Sequence, residues 1–152
     1  NTAGGQNISI GNASLGLNTA SYNIAIGQQA LGTNSSGASN VGIGHNALLS
    51  NTTASNNTAV GYQALKANTS GLGNSAFGSQ ALMSNVTGIE NTAVGSSGSV
   101  ATQTSSTDNT VSIGNYNNST GIVYSTQALA CMVTTNGTFE ADPDVMNIMV
   151  LC

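Results

Sequence analysis

A large apolar residue followed by glycine recurs at a nearly constant interval along this chain: Ile10-Gly11, Ile26-Gly27, Ile43-Gly44, Val60-Gly61, Phe77-Gly78 and Val94-Gly95. Three residues ahead of each pair stands an asparagine. These openers are Asn7, Asn23, Asn40, Asn57, Asn74 and Asn91, with spacings of 16, 17, 17, 17 and 17 residues. A second apolar row, Leu15, Leu31, Leu48, Leu65 and Leu82, lies eight positions into each phrase and ends where Ser99 takes the place of leucine. The residue just before each large apolar one is always small: Ser9, Ala25, Gly42, Ala59, Ala76 and Ala93. A fixed register of this kind is what stacked coils require, because each coil buries its apolar face only against its neighbours. Disordered low-complexity chain has no need of it.

Each phrase predicts one coil. A short strand runs over Asn-x-small-apolar, the glycine supplies a turn with positive φ, x-Ala-Leu forms a second short segment, and the chain returns through Asn-x-Ser/Thr-Gly, with Gly37, Gly71 and Gly88 as return glycines. Neighbouring side chains of a strand point to opposite faces, so the large and the small residue meet different surroundings. The expected arrangement puts the large one inside the coil and the small one against another chain. Helix over QALKAN or SQALMSN is disfavoured by the density of Gly, Asn, Ser and Thr around it. The expected fold is all-β: a parallel β-solenoid or β-roll of about six seventeen-residue coils over residues 1–107, followed by a β-rich cap or connector over 108–152. At the ~4.8 Å separation of adjacent strands, six coils rise on the order of 30 Å.

Composition narrows the picture further. Hydrophobic residues reach 39%, but many are alanine, Trp is absent and aromatics are 4%, which suits thin layers rather than a thick core. Charged residues are 4%, against roughly 25% in an ordinary soluble domain. The one cation, Lys66, is offset by Glu90, and the formal charge of -4 comes from Asp108, Glu140, Asp142 and Asp144. Nucleic-acid binding, which needs several Lys or Arg to neutralise phosphates, is excluded as a function class. The longest apolar run, VMNIMVLC at 145–152, is far shorter than the ~20 residues of a spanning helix, so no membrane span is expected. The chain opens at Asn1 with no basic-then-apolar leader, which reads as a processed product or part of something longer.

Few residues are candidates for chemistry. His45, in GHNAL, has no partner assignable by spacing and reads as a surface histidine. Glu140, Asp142 and Asp144 flank Pro143 in an acidic turn that lacks the ligand ladder of a calcium loop. Cys131 and Cys152 are either two small buried hydrophobes or a disulfide pair, and neither has metal-ligand spacing. No catalytic set, cofactor or metal is expected. Eleven positions into each repeat lies a further row, Asn18, Asn34, Asn51, Asn68 and Asn85. From Asn34 onward each begins an Asn-x-Ser/Thr triplet, so the row is either a file of glycan acceptors or a structural ladder of amides bonded to the turns. Tyr62, His45 and Gln63, just after repeat glycines, are expected at the surface.

The phrases NTAVG, NIAIG and NTAVGYQAL resemble the head repeats of trimeric autotransporter adhesins, and still more the related repeats in tail fibres of bacteriophages and other large viruses. The likeness covers roughly residues 7–98. DNTVSIGNY, at 108–116, echoes the opening NISIGN and resembles the segment that closes an adhesin head. The resemblance implies left-handed parallel β-rolls of three identical chains packed side by side, hence a homotrimer. It also implies a non-catalytic, adhesive segment on a virion tail fibre or cell surface, joined to other fibre or baseplate proteins and meeting a host-surface glycan or protein receptor. No heptad pattern follows the repeats, so a coiled-coil stalk is not expected. Two other readings remain: a filament subunit stacking end to end through open β edges, and a polysaccharide-degrading tailspike. The last needs paired carboxylates on the repeat body, which holds only Glu90.

Overall fold

The computed structural model describes residues 4–96, 109–113 and 122–125. Among them the chain forms eight short strands: β1 (Ile8–Ile10), β2 (Ile24–Ile26), β3 (Val41–Ile43), β4 (Thr58–Val60), β5 (Ser75–Phe77), β6 (Thr92–Val94), β7 (Thr110–Ile113) and β8 (Ile122–Ser125). They make one sheet in sequence order. β1 to β7 are parallel and paired in register, each residue opposite its counterpart one repeat later: Ile26 faces Ile43, and Val60 faces Phe77. This is the all-β parallel solenoid that the periodicity implies. The step from β6 to β7 is longer, pairing Thr92 with Val111. Asn109 nevertheless donates its N–H to the Ile89 carbonyl at 3.0 Å, as Glu90 does to Leu72 at 2.9 Å. The coil pattern therefore resumes past residue 107, and β7 belongs to the same sheet as the repeats. β8 then lies antiparallel on β7, with Val111 opposite Tyr124.

Positive-φ residues turn the chain at several places in each coil, among them the residue before each opening asparagine, such as Tyr22 and Asn56, and two further devices. The glycine after each strand takes φ between 128° and 144°, where any side chain is strained. It is also pressed between coils: a Cβ on Gly27 would lie 2.6 Å from the Gly44 carbonyl oxygen. The second device lies in the short segment after the glycine. The x-Ala-Leu stretch is not a strand but a pair of tight turns, in which Leu15, Leu31, Leu48, Leu65 and Leu82 have φ of 48° to 53°. Their N–H groups still bond between coils, Leu48 to Ala64 O at 3.0 Å and Leu65 to Ala81 O at 2.9 Å.

Those leucines and the small strand residues form the interior. Leu31, Leu48, Leu65 and Leu82 are fully buried, as are Ala25, Ala59, Ala76 and Ala93. The space between strand and leucine turn is one side chain thick: a Cβ on Gly42 would already sit 3.3 Å from Leu31 Cγ. This reverses the expected placement. The small residue points inward, because leucine has taken the available volume, and the large residue of each strand points out.

The left-handed leucines carry a testable consequence. Volume-conserving core swaps usually cost less than about 1.5 kcal/mol, but a β-branched residue at positive φ is a steric outlier. Leu65→Met is therefore expected to be mild, whereas Leu65→Ile is expected to cost about 2 kcal/mol more, as strain of this class carries. Paired urea titrations of the two variants measure the difference.

Candidate assembly face and surface sites

Both asparagine rows turn inward and tie the coils together. Asn34 donates one amide proton to Asn18 Oδ1 at 2.7 Å and the other to the Gly37 carbonyl at 2.8 Å. Asn51 repeats this with Asn34 Oδ1 and Ala54 O, both at 2.9 Å. Asn68 bonds Asn51 Oδ1 at 3.1 Å and Gly71 O at 3.0 Å, and Asn85 bonds Asn68 Oδ1 at 3.1 Å and Gly88 O at 3.0 Å. The opening asparagines build a second ladder, in which each Oδ1 accepts the next opener's backbone N–H: Asn40 to Asn57 at 3.0 Å, Asn57 to Asn74 at 2.9 Å. Their amides reach the same return carbonyls, Asn57 to Gly71 and Asn74 to Gly88, each at 2.8 Å. Buried polar groups demand such partners. Here nearly every one is met by its own copy in an adjacent coil or by the turn it braces; Asn85 Oδ1, the last acceptor of its row, has no partner among the described residues.

Of the two readings of the Asn-x-Ser/Thr row, this geometry leaves room for one. Asn34, Asn51, Asn68 and Asn85 have no exposed surface, and both protons of each amide are committed. A sugar on any of them would replace a ladder donor and need space that the coil does not contain. Made in a glycosylating host, the folded fraction is expected to carry no glycan at Asn34, Asn51, Asn68 or Asn85 by peptide-level mass spectrometry. Glycan on folded protein at these positions would disprove the ladder.

The outward side of the sheet has the opposite character. Beside the row of Ile10, Ile26, Ile43, Val60, Phe77 and Val94 runs a second row, two residues earlier in each strand: Ile8, Ile24, Val41, Thr58, Ser75 and Thr92. Ile10 is 59% exposed, Ile8 49%, and Phe77 and Val94 42% each. Ile24, Ile26, Val41, Ile43 and Val60 are half-buried by their neighbours in the same rows. No charged residue stands in either row. The second row was not singled out in the sequence, because its chemistry drifts from Ile to Thr and Ser; strict alternation about the small residue was the signal that could have found it.

Other surface features are sparse. His45 and Tyr62 are exposed on consecutive coils and stack at a centroid separation of 5.6 Å and an interplanar angle of 14°. Gln63, by contrast, is half-buried and accepts from Gln80 Nε2 at 3.3 Å. A shallow groove of about 400 Å³ is lined by Ser50, Lys66, Ala67, Met83, Ser84 and Val86. Among the described residues no group of three or more His, Cys, Asp or Glu is placed to hold a metal ion, and no helix is long and apolar enough to cross a membrane. Cys131, Cys152, Glu140, Asp142 and Asp144 lie outside the described residues. No protein-family model, curated protein or solved structure matches the chain.

Proposed function

We propose that this chain is a structural, adhesive segment of a phage or virus tail fibre. It acts as a homotrimer whose three sheet faces pack about a shared axis. The observation that carries the reading is the outward face: two uncharged rows, apolar along most of the stack, on a protein with almost no charge elsewhere to hold copies apart. An exposed apolar patch continuous over several coils marks an interaction surface, and closed cyclic assembly is the usual way identical chains cover one. The hydrogen bonds of the sheet and both asparagine ladders run from coil to coil, so load along the fibre is shared by every rung. Receptor contact falls to the exposed turns, among them His45 and Tyr62. Three copies of each shallow site on one rigid body gain in avidity what each lacks in affinity. Such a segment sits on the virion or another extracellular surface, joined to other fibre or baseplate proteins.

The end-to-end filament is the alternative. It needs the parallel ladder to continue at both ends, whereas β8 lies antiparallel on β7 and breaks that register. Sedimentation velocity separates the readings. A discrete species of three times the 15.0 kDa chain mass is expected. Open-ended heavy material would favour the filament, and a folded single chain would end the trimer.

A further inference from the structure

One coil of the outward face breaks the size pattern in two places at once. In β5 the largest outward residue of the repeats, Phe77, stands where the other coils carry Ile or Val. Its partner in the second row is Ser75, the smallest residue of that row. A knob and a notch therefore lie at one level of the stack. The ring does not close the notch within its own chain, since Phe77 remains 42% exposed.

We infer that Phe77 of one copy seats on Ser75 of the neighbouring copy, and that this layer sets the axial register of the assembly. The inference rests on the homotrimer proposed above and names the residues that align it. A second copy is the occupant that fits for three reasons. Its rows repeat at the same strand separation of ~4.8 Å, so all rungs meet together. Neither row carries a charge that needs a counter-charge. The excess volume at position 77 is matched by a deficit at position 75 of an identical chain. Elsewhere the rows are so alike from coil to coil that a slip by one rung leaves most contacts apolar. At this level a slip drives the ring against Thr58 or Thr92 of the neighbour and leaves the notch unfilled.

The test compares the parent with Ser75→Phe, Phe77→Ser and the double exchange, all in the full chain. Sedimentation equilibrium gives the mass and circular dichroism the β signature. Both positions point away from the coil interior, so the β signature is expected to persist. Each single variant is expected to raise the concentration of half-dissociation by roughly tenfold or more, which for a three-chain equilibrium is about 2.8 kcal/mol per trimer. The double exchange, which swaps knob and notch between the rows, is expected to recover most of that loss. If the parent is trimeric but the single variants assemble as it does, or the double exchange is no better than the worse single, the register layer is refuted while the trimer stands. A single-chain mass for the parent itself would refute the trimer first.

Discussion

Gly27→Ala is expected to lower stability by about 3 kcal/mol or more. Two costs add. The residue holds φ at 128°, a conformation that charges a side chain about 1–3 kcal/mol in strain. The new Cβ would also lie 2.6 Å from the Gly44 oxygen and 2.7 Å from its carbonyl carbon, and that neighbour is backbone, not a flexible side-chain tip. Relief requires the two coils to part, which weakens bonds such as Gly44 N–H to Ile26 O, now 2.7 Å. In a chain of this length the loss corresponds to a Tm lower by on the order of 10 °C. Gly5, whose added Cβ would meet nothing within 4 Å, is the control. Alanine there is expected to shift stability by no more than about 0.5 kcal/mol.

Asn57→Leu is the second large effect. Leucine has the branched skeleton of asparagine with more bulk and none of its bonds. Asn57 Oδ1 accepts both the backbone N–H and the amide of Asn74, at 2.9 and 3.2 Å, and its own amide donates to Gly71 O at 2.8 Å. The substitution leaves the Asn74 N–H unpaired and weakens the satisfaction of Gly71 O in a fully buried place. At about 1–3 kcal/mol for each buried group orphaned, the expected loss is roughly 3–5 kcal/mol. Asn12→Leu, at an exposed position, is expected to be near neutral. Equal losses at the two sites in chemical denaturation would show that the ladder contributes little.

The architecture was legible in the sequence because the repeat is stated six times over. Apolar-then-glycine, the opening asparagines and the leucine row place the strands, the positive-φ turn and the stacking direction without further information. Which way the strands face was not legible. Alternation says that Ala59 and Val60 point to opposite sides, but it does not say which side is inside. The answer lay in Leu65, whose left-handed backbone folds it across the coil and leaves room only for alanine opposite. Nothing in the residue type announces that conformation, since positive φ is uncommon for leucine and is imposed here by the turn. The second ladder was hidden for a different reason. Asn40 and Asn57 served as markers of phase, and a buried amide bonded to its own repeat differs from a surface amide only in three dimensions. The outward face came with the reversal of the strand's sides, and with it the proposed assembly.

The most direct measurement is the mass in solution of two lysine variants. Ile43→Lys places a cation in the middle of the outward apolar row, whereas Ser70→Lys adds the same charge at an exposed turn away from it. The three-chain species is expected to disappear in Ile43→Lys and to persist in Ser70→Lys. If Ile43→Lys sediments as the parent does, the outward face is not where the copies meet.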